Sequence, residues 1–126
     1  LCNQILEEVT DEFLYFGSAE HFIELIGYEF EREWIRRRVA KGIRMRVLAF
    51  PGFYLSKARE HDQRELRDVR LLPKEFSCDG AFHIFGAKVV HWNPVLPKAI
   101  VIDDKIVSDL LRNIFEMIWL SVKTTP

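Results

Sequence analysis

Residues 12–50, EFLYFGSAEHFIELIGYEFEREWIRRRVAKGIRMRVLAF, set the architecture. They open on a dense apolar run of strand length, residues 12–17, which Gly17-Ser18 stops. Ser18 has N-cap chemistry, with Glu20 and His21 in the first turn behind it, and the pattern predicts one long helix over residues 20–41. Gly42 suits the position just past its end. Ile43, Met45 and Val47 then alternate with Arg44 and Arg46 before Leu48, Ala49 and Phe50 become continuously apolar, a strand over residues 43–50. Strand, helix and strand in this order form a βαβ unit, which predicts a parallel pair.

Two apolar arcs run along the predicted helix. Phe22, Ile23, Ile26, Phe30 and Trp34 share one; Leu25, Tyr28, Ile35 and Val39 share the other. Such a helix is expected to touch two surfaces, the sheet and a neighbouring helix or subunit. Glu24, Glu29, Glu31 and Glu33 fill its first half, and Arg36, Arg37, Arg38 and Lys41 its end. That order complements the helix dipole, with Glu33 and Arg37 as an i,i+4 pair, and assigns the arginine run to a solvated face.

Outward from this unit, residues 1–11 read as a short amphipathic helix with Ile5, Leu6 and Val9 on one face. Pro51-Gly52 opens a looser segment with a short charged helix around residues 57–66. Strands are expected at residues 67–72, 81–85, 88–92 and 98–103, with Gly86-Ala87 as a tight hairpin turn. A closing helix over residues 104–122 carries Ile106, Val107, Leu110, Leu111, Ile114, Met117 and Ile118 on a broad arc. Phe115 and Trp119 widen that arc beyond what one sheet face needs. They join Leu25 and Tyr28 as candidates for a two-fold interface.

With 126 residues, 48% hydrophobic and 13% aromatic, the chain suits a single domain, residues 1–126, that buries roughly two-thirds of its unfolded surface. Lys plus Arg (18) nearly balances Asp plus Glu (19), so there is no domain-wide basic field to hold nucleic acid. No apolar run approaches the roughly 20 residues of a membrane span, and no signal-peptide pattern opens the chain. Cys2 and Cys78 show no zinc or disulfide spacing, and a cytoplasmic location follows as the default. The chain opens at Leu1 without an initiator Met, which reads as a fragment whose N-terminal portion lies upstream.

No nucleophile elbow, P-loop, dinucleotide fingerprint, zinc-protease or EF-hand motif is present. His83 and His91 lie on two strands of one hairpin, but only Cys78 and Asp79 are near in sequence, too few for a metal site. No metal and no cofactor is expected. Asp103 and Asp104 are adjacent at a strand-to-helix junction and suit the helix N-terminus better than an acid–base pair. Arg44 and Arg46 share a strand face, and Arg67 and Arg70 belong to another strand; if the two adjoin, they form a small anion-binding surface. The alternative is pairing with nearby carboxylates.

The segments EFEREWIRRRVAKGIRMRVLAF, RELRDVRLLPKEF and FHIFGAKVV…AIVIDDKIVSDLLRNIFEMIWLSV together resemble the C-terminal phospholipase D-like domain of TrmB-like transcriptional regulators. The resemblance runs from about Ile5 to Lys123 and rests on Arg70–Pro73, Gly86–Val89 and the Phe115/Trp119 ending. It implies an α/β fold, a mixed β-sheet flanked by α-helices. It also implies an effector-sensing and dimerisation module, a homodimer that meets DNA only through a winged helix-turn-helix outside these residues.

Phospholipase D-like enzymes use His-x-Lys-x-x-x-x-Asp. None of His21, His61, His83 or His91 has Lys two residues later. Anchoring the motif on Lys88 puts Gly86 in the nucleophile slot and Asn93 in the acid slot, and anchoring it on the hairpin turn gives Asp79, Ala81 and Gly86. Either register lacks the nucleophile that covalent catalysis needs. A non-catalytic relative is expected. The rival readings are a phosphodiesterase or nuclease built on His83 and Lys88, and a stand-alone small-anion module. Longer family members carry a further sugar-binding domain; none is read before Pro126, so sugar sensing is not carried over.

Overall fold

The computed structural model describes residues 2–52 and 61–122. Helix α1 (Cys2–Glu8) leads into β1 (Glu12–Gly17), α2 (Ala19–Ile26) and α3 (Tyr28–Ala40). Strands β2 (Arg44–Ala49), β3 (Arg67–Leu71), β4 (Ala81–Phe85), β5 (Lys88–Asn93) and β6 (Lys98–Asp103) follow, then α4 (Lys105–Ser121). Among the described residues the six strands make one mixed sheet in the order β3-β2-β1-β4-β5-β6. The expected parallel βαβ pair is present, β1 against β2, and β3 extends it in parallel. From β1 onward the pairing is antiparallel, through β4, β5 and β6.

The sheet is covered on both faces, which is why β1 and the end of β2 are apolar at successive positions. Phe13, Tyr15, Val47, Val69 and Val90 pack under α1–α3 with Ile5, Leu6, Phe22, Trp34 and Ile35. Leu14, Leu48, Ile84 and Val89 pack on the other face under Phe115 and Trp119 of α4. The strand that follows α4's face at the sheet edge, β6, stays largely exposed.

The long helix expected over residues 20–41 is two helices. Gly27 sits at φ +89° and ψ 139°, outside helical space, and closes α2 by donating to Ile23 O while its own carbonyl accepts from Glu31 N. Glycine reaches that backbone shape without a Cβ penalty. The break dissolves the two-arc reading: α3 buries a single ridge of Glu31, Trp34, Ile35 and Arg38, and Phe30 is left exposed. Ser18 caps α2 by accepting from His21 N at 3.3 Å, and Gly42 (φ +71°) follows the α3 cap as expected.

Arg38 corrects the solvated-face reading. It is fully buried and donates to Ile43 O (2.8 Å), Glu65 O (2.6 Å) and Leu66 O (3.4 Å), tying the end of α3 to the entries of β2 and β3. Leu66, at φ +53°, is held in that left-handed shape because its carbonyl also accepts from Met45 N. Arg36, not Arg37, pairs with Glu33, while Arg37 reaches Asn3 Oδ1. Residues 61–66 are turns; the rest of the charged helix expected around residues 57–66 lies outside the described residues.

Candidate functional site

Arg44, Arg46 and Arg70 share one sheet face, but Arg67 does not: β2–β3 register sets Arg46 against Asp68 and Arg70 against Leu48, and places Arg67 beside Met45 on the opposite face. That separation corrects the four-arginine anion surface. The side chains are engaged as well. Arg46 donates to Glu12 and Glu116, Arg70 to Trp119 O, and Arg67 to Asp62 and Glu65. The guanidiniums of Arg46 and Arg70 lie 5.2 and 4.1 Å from the Trp119 ring centroid, so both brace the indole. Burial alone would lower the Arg46 pKa, yet Glu116 and Glu12 outweigh it and raise it. Arg44 is exposed.

The hairpin residues part company in the same way. The two-residue turn pairs His83 with Val90 and His91 with Phe82, so the two histidines face opposite sides of the sheet. This was readable from the turn: two residues at 86 and 87 pair 85 with 88, so 83 is partnered by 90 and its neighbour 91 falls on the other face. Lys88 ion-pairs with Glu8 at 2.7 Å, and His83 bonds Trp92, so no His83–Lys88 couple forms. Asp79 pairs with His21, and Cys78 donates to Gly80 O. Among the described residues no three His, Cys, Asp or Glu side chains converge as metal ligands. Asp104 caps α4 as expected, accepting from Ile106 N and Val107 N.

His83 lies at the centre of an aromatic cage. Its ring centroid is 4.9 Å from Tyr15, 5.3 Å from Phe22, 5.5 Å from Phe13 and 5.9 Å from Trp92. It is 1% exposed, and burial pushes its pKa down to about 3, so the imidazole is neutral. The Trp92 indole N–H donates to Nδ1 at 2.8 Å. An indole can only donate, so Nδ1 is the acceptor nitrogen and the ring proton sits on Nε2. Nε2 is buried and has no hydrogen-bond partner.

Beside this ring, between the sheet and α1–α3, is a pocket of about 60 Å³. Tyr15, Phe22, Trp34 and His83 are among the residues that line it, and so are Cys2, Glu31 and Arg67. Burial raises the Cys2 thiol to about 11 and the Tyr15 phenol well above its ordinary value, so both stay protonated. The Tyr15 hydroxyl is already committed to Ser18 O at 2.6 Å.

The interface candidates divide likewise. Phe115 and Trp119 are 1% and 6% exposed, stacked on each other in the core under α4. They cannot form a subunit seam while the domain is folded, which corrects their assignment. Leu25 is partly buried against the other core, and Tyr28 is exposed there, on the far side of the sheet from α4. The exposed apolar surface of α4 is instead Ile106, Leu110, Ile114, Met117 and Leu120. Residues 106, 110, 113, 117 and 120 are spaced four and three apart, with exposed Asn113 as the polar member. This stripe points away from the buried Ser108, Phe115 and Trp119. Ser108 Oγ donates to Gly86 O and so fixes which side of α4 turns inward.

No protein-family model matches the chain, and no curated protein matches it. No helix among the described residues is long and apolar enough to cross a membrane.

Proposed function

We propose that this chain is the non-catalytic effector-sensing and dimerisation domain of a TrmB-like, DNA-binding transcriptional regulator, with the phospholipase D-like variant of the α/β fold. The reading joins the motif resemblance to one observation, the unpartnered apolar stripe on α4. A helix that packs Phe115 and Trp119 inward and still presents Ile106, Leu110, Met117 and Leu120 outward is apolar on two opposite sides. Alternate four- and three-residue spacing is what a second helix accepts as knobs into holes, with one polar position to set register. The occupant proposed is the α4 of a second copy, because a two-fold axis makes one such stripe complementary to itself.

Magnitudes favour the pairing. Fully burying an Ile, Leu or Met side chain is worth about 1.5–3 kcal/mol. The four apolar side chains of the stripe are on average about 70% exposed, so a symmetric pair gains roughly 9–17 kcal/mol. Association costs about 4–15 kcal/mol, which puts a dimer within reach at micromolar concentration. In the proposed regulator, that dimer spaces two DNA-reading heads to match two half-sites.

Sedimentation velocity tests this. A concentration-dependent dimer is expected for the wild type and a monomer for Leu110→Glu, with unchanged circular dichroism because Leu110 is exposed. A wild type that stays strictly monomeric at high micromolar concentration overturns the dimerisation half of the proposal.

A further inference from the structure

We infer that the free edge of β6 pairs, antiparallel and about a two-fold axis, with the β6 of a second copy of this chain, a weak contact that joins neighbouring copies edge to edge. The contact lies in the plane of the sheet, whereas the α4 stripe points away from it, so the two surfaces are separate. The inference rests on the regulator reading for its biological use, though not for the pairing itself.

The state of the edge is the first observation. β6 is the last strand of the sheet, beside β5, and among the described residues no strand pairs with its other side. Asp104 N–H donates to Ala87 O, and bonding to a given neighbour in an antiparallel ladder recurs at every second residue. Lys98, Ile100 and Ile102 therefore direct their N–H and C=O groups at β5. Ala99, Val101 and Asp103 direct theirs out of the sheet, a row of donors and acceptors ready for another strand. Ile100 and Val101 are 47% and 43% exposed, and charge stands only at the two ends, at Lys98 and Asp103. The opposite edge, β3, carries Arg67, Asp68 and Arg70 within five residues, the usual protection of an edge.

The pattern of β6 selects the partner. Lys98 opens the strand, and Asp103 and Asp104 end it. A parallel mate of the same sequence sets like charges side by side; an antiparallel one sets Lys98 against the partner's aspartates. Symmetry narrows the register. A two-fold axis between antiparallel neighbours stands perpendicular to the sheet and keeps its faces, so opposed residues have numbers of the same parity. Centring the axis on Val101 opposes Ala99 to Asp103 and Ile100 to Ile102, and uses every outward N–H and C=O. It also brings Lys98 to the partner's Asp104, whose backbone is still extended (φ −151°, ψ 114°) and whose cap bonds use Oδ1 alone. Centring it on Ile100 instead sets Asp103 against Pro97, which has no N–H to give.

Fewer apolar side chains meet here than along α4, and they start half-exposed, so the dissociation constant is about a millimolar. Modules held side by side on one scaffold reach effective concentrations of that order. In the proposed regulator, the β6 contact would couple dimers bound at neighbouring sites on DNA.

The test uses Leu110→Glu, in which the α4 stripe is disabled and only the edge is read. Nitrogen-15 NMR spectra are taken from about 20 µM to about 2 mM, on either side of the expected dissociation constant. The amides of Ala99, Val101 and Asp103 should shift with concentration and exchange with solvent several-fold more slowly, while those of Ile100 and Ile102, already bonded to β5, change least. Added in this background, Val101→Lys sets two cations against each other on the axis and should abolish the response. Lys98→Glu removes both end charge pairs and should weaken association about tenfold. Both positions are exposed, so neither substitution opens the core. No concentration dependence at the three amides, an equal response at Ile100 and Ile102, or undiminished association with Val101→Lys would each overturn the inference. An edge response without a micromolar wild-type dimer would strike the α4 pairing alone. A micromolar dimer that Leu110→Glu abolishes, with no edge response, would strike the edge alone.

Discussion

Lowering the pH from about 7.5 to about 5 should remove about 2 kcal/mol of folding stability through His83 alone. In the folded protein its pKa is about 3, because burial disfavours the imidazolium; in the unfolded chain the ordinary value of 6.5 returns. The folded value is depressed, so the unfolded state takes up a proton first. His83's contribution is therefore complete above about pH 6.5 and falls away as the pH drops toward about 3, at about 1.4 kcal/mol per pH unit. Over the 1.5 units from 6.5 down to 5 that amounts to about 2 kcal/mol.

Groups facing the ring leave that window clear. Tyr15 and Cys2 are held protonated by burial. Glu31 and Arg67 line the same pocket with opposite charge. Burial pushes the Glu65 carboxyl up, but Arg32 and Arg67 bring it below its ordinary value, so it keeps its charge throughout. Urea denaturation at the two pH values measures the effect. With an m-value of about 1–3 kcal/mol per molar for a small domain, the wild-type midpoint should fall by about 1 M. His83→Phe cannot titrate and leaves the Trp92 indole unpaired, so it should be less stable at pH 7.5 yet lose about 2 kcal/mol less on acidification. Equal pH dependence in the two proteins would refute the buried, neutral imidazole.

Two further substitutions probe how the scaffold holds the site. Gly17→Ala puts a Cβ 2.5 Å from Gly80 O and 2.7 Å from Ala81 Cα at a φ of +130°; since both obstacles are backbone, chemical denaturation should show a loss of about 3–5 kcal/mol. Arg38→Lys replaces a planar fork that serves three carbonyls with a single ammonium. It should destabilise the fold by about 2–4 kcal/mol, with hydrogen exchange quickening first at Met45 N–H, which bonds Leu66 O.

The strands were legible because their evidence is local. Residues 12–17, 81–85 and 98–103 have the bounds of β1, β4 and β6, and the βαβ order carried the parallel pair with it. Caps were equally local, as Ser18, Gly42 and Asp104 show. Gly27 was harder: a lone glycine inside a helical pattern is tolerated or breaks it, and only the placement of α2 and α3 over different parts of the sheet selects the break. Arg38 looked solvated because charge reads as surface, yet its acceptors at residues 65 and 66 come from a loop 27 and 28 residues away.

His83 and α4 mark the boundary between the two kinds of information. Composition and periodicity established an α/β chain with a hairpin at Gly86-Ala87 and a long apolar closing helix. Neither could distinguish a histidine buried neutral among Tyr15, Phe22 and Trp92 from one at the surface, because burial depends on what α2 lays over the sheet. Nor could they say which side of α4 turns to the sheet, because apolar residues flank its polar strip of Lys105, Asp109, Arg112 and Glu116 on both sides. Tertiary packing settled both. Ser108 on Gly86 and the arginine-braced Trp119 turn one side of α4 inward, and that choice leaves Ile106, Leu110, Met117 and Leu120 facing out.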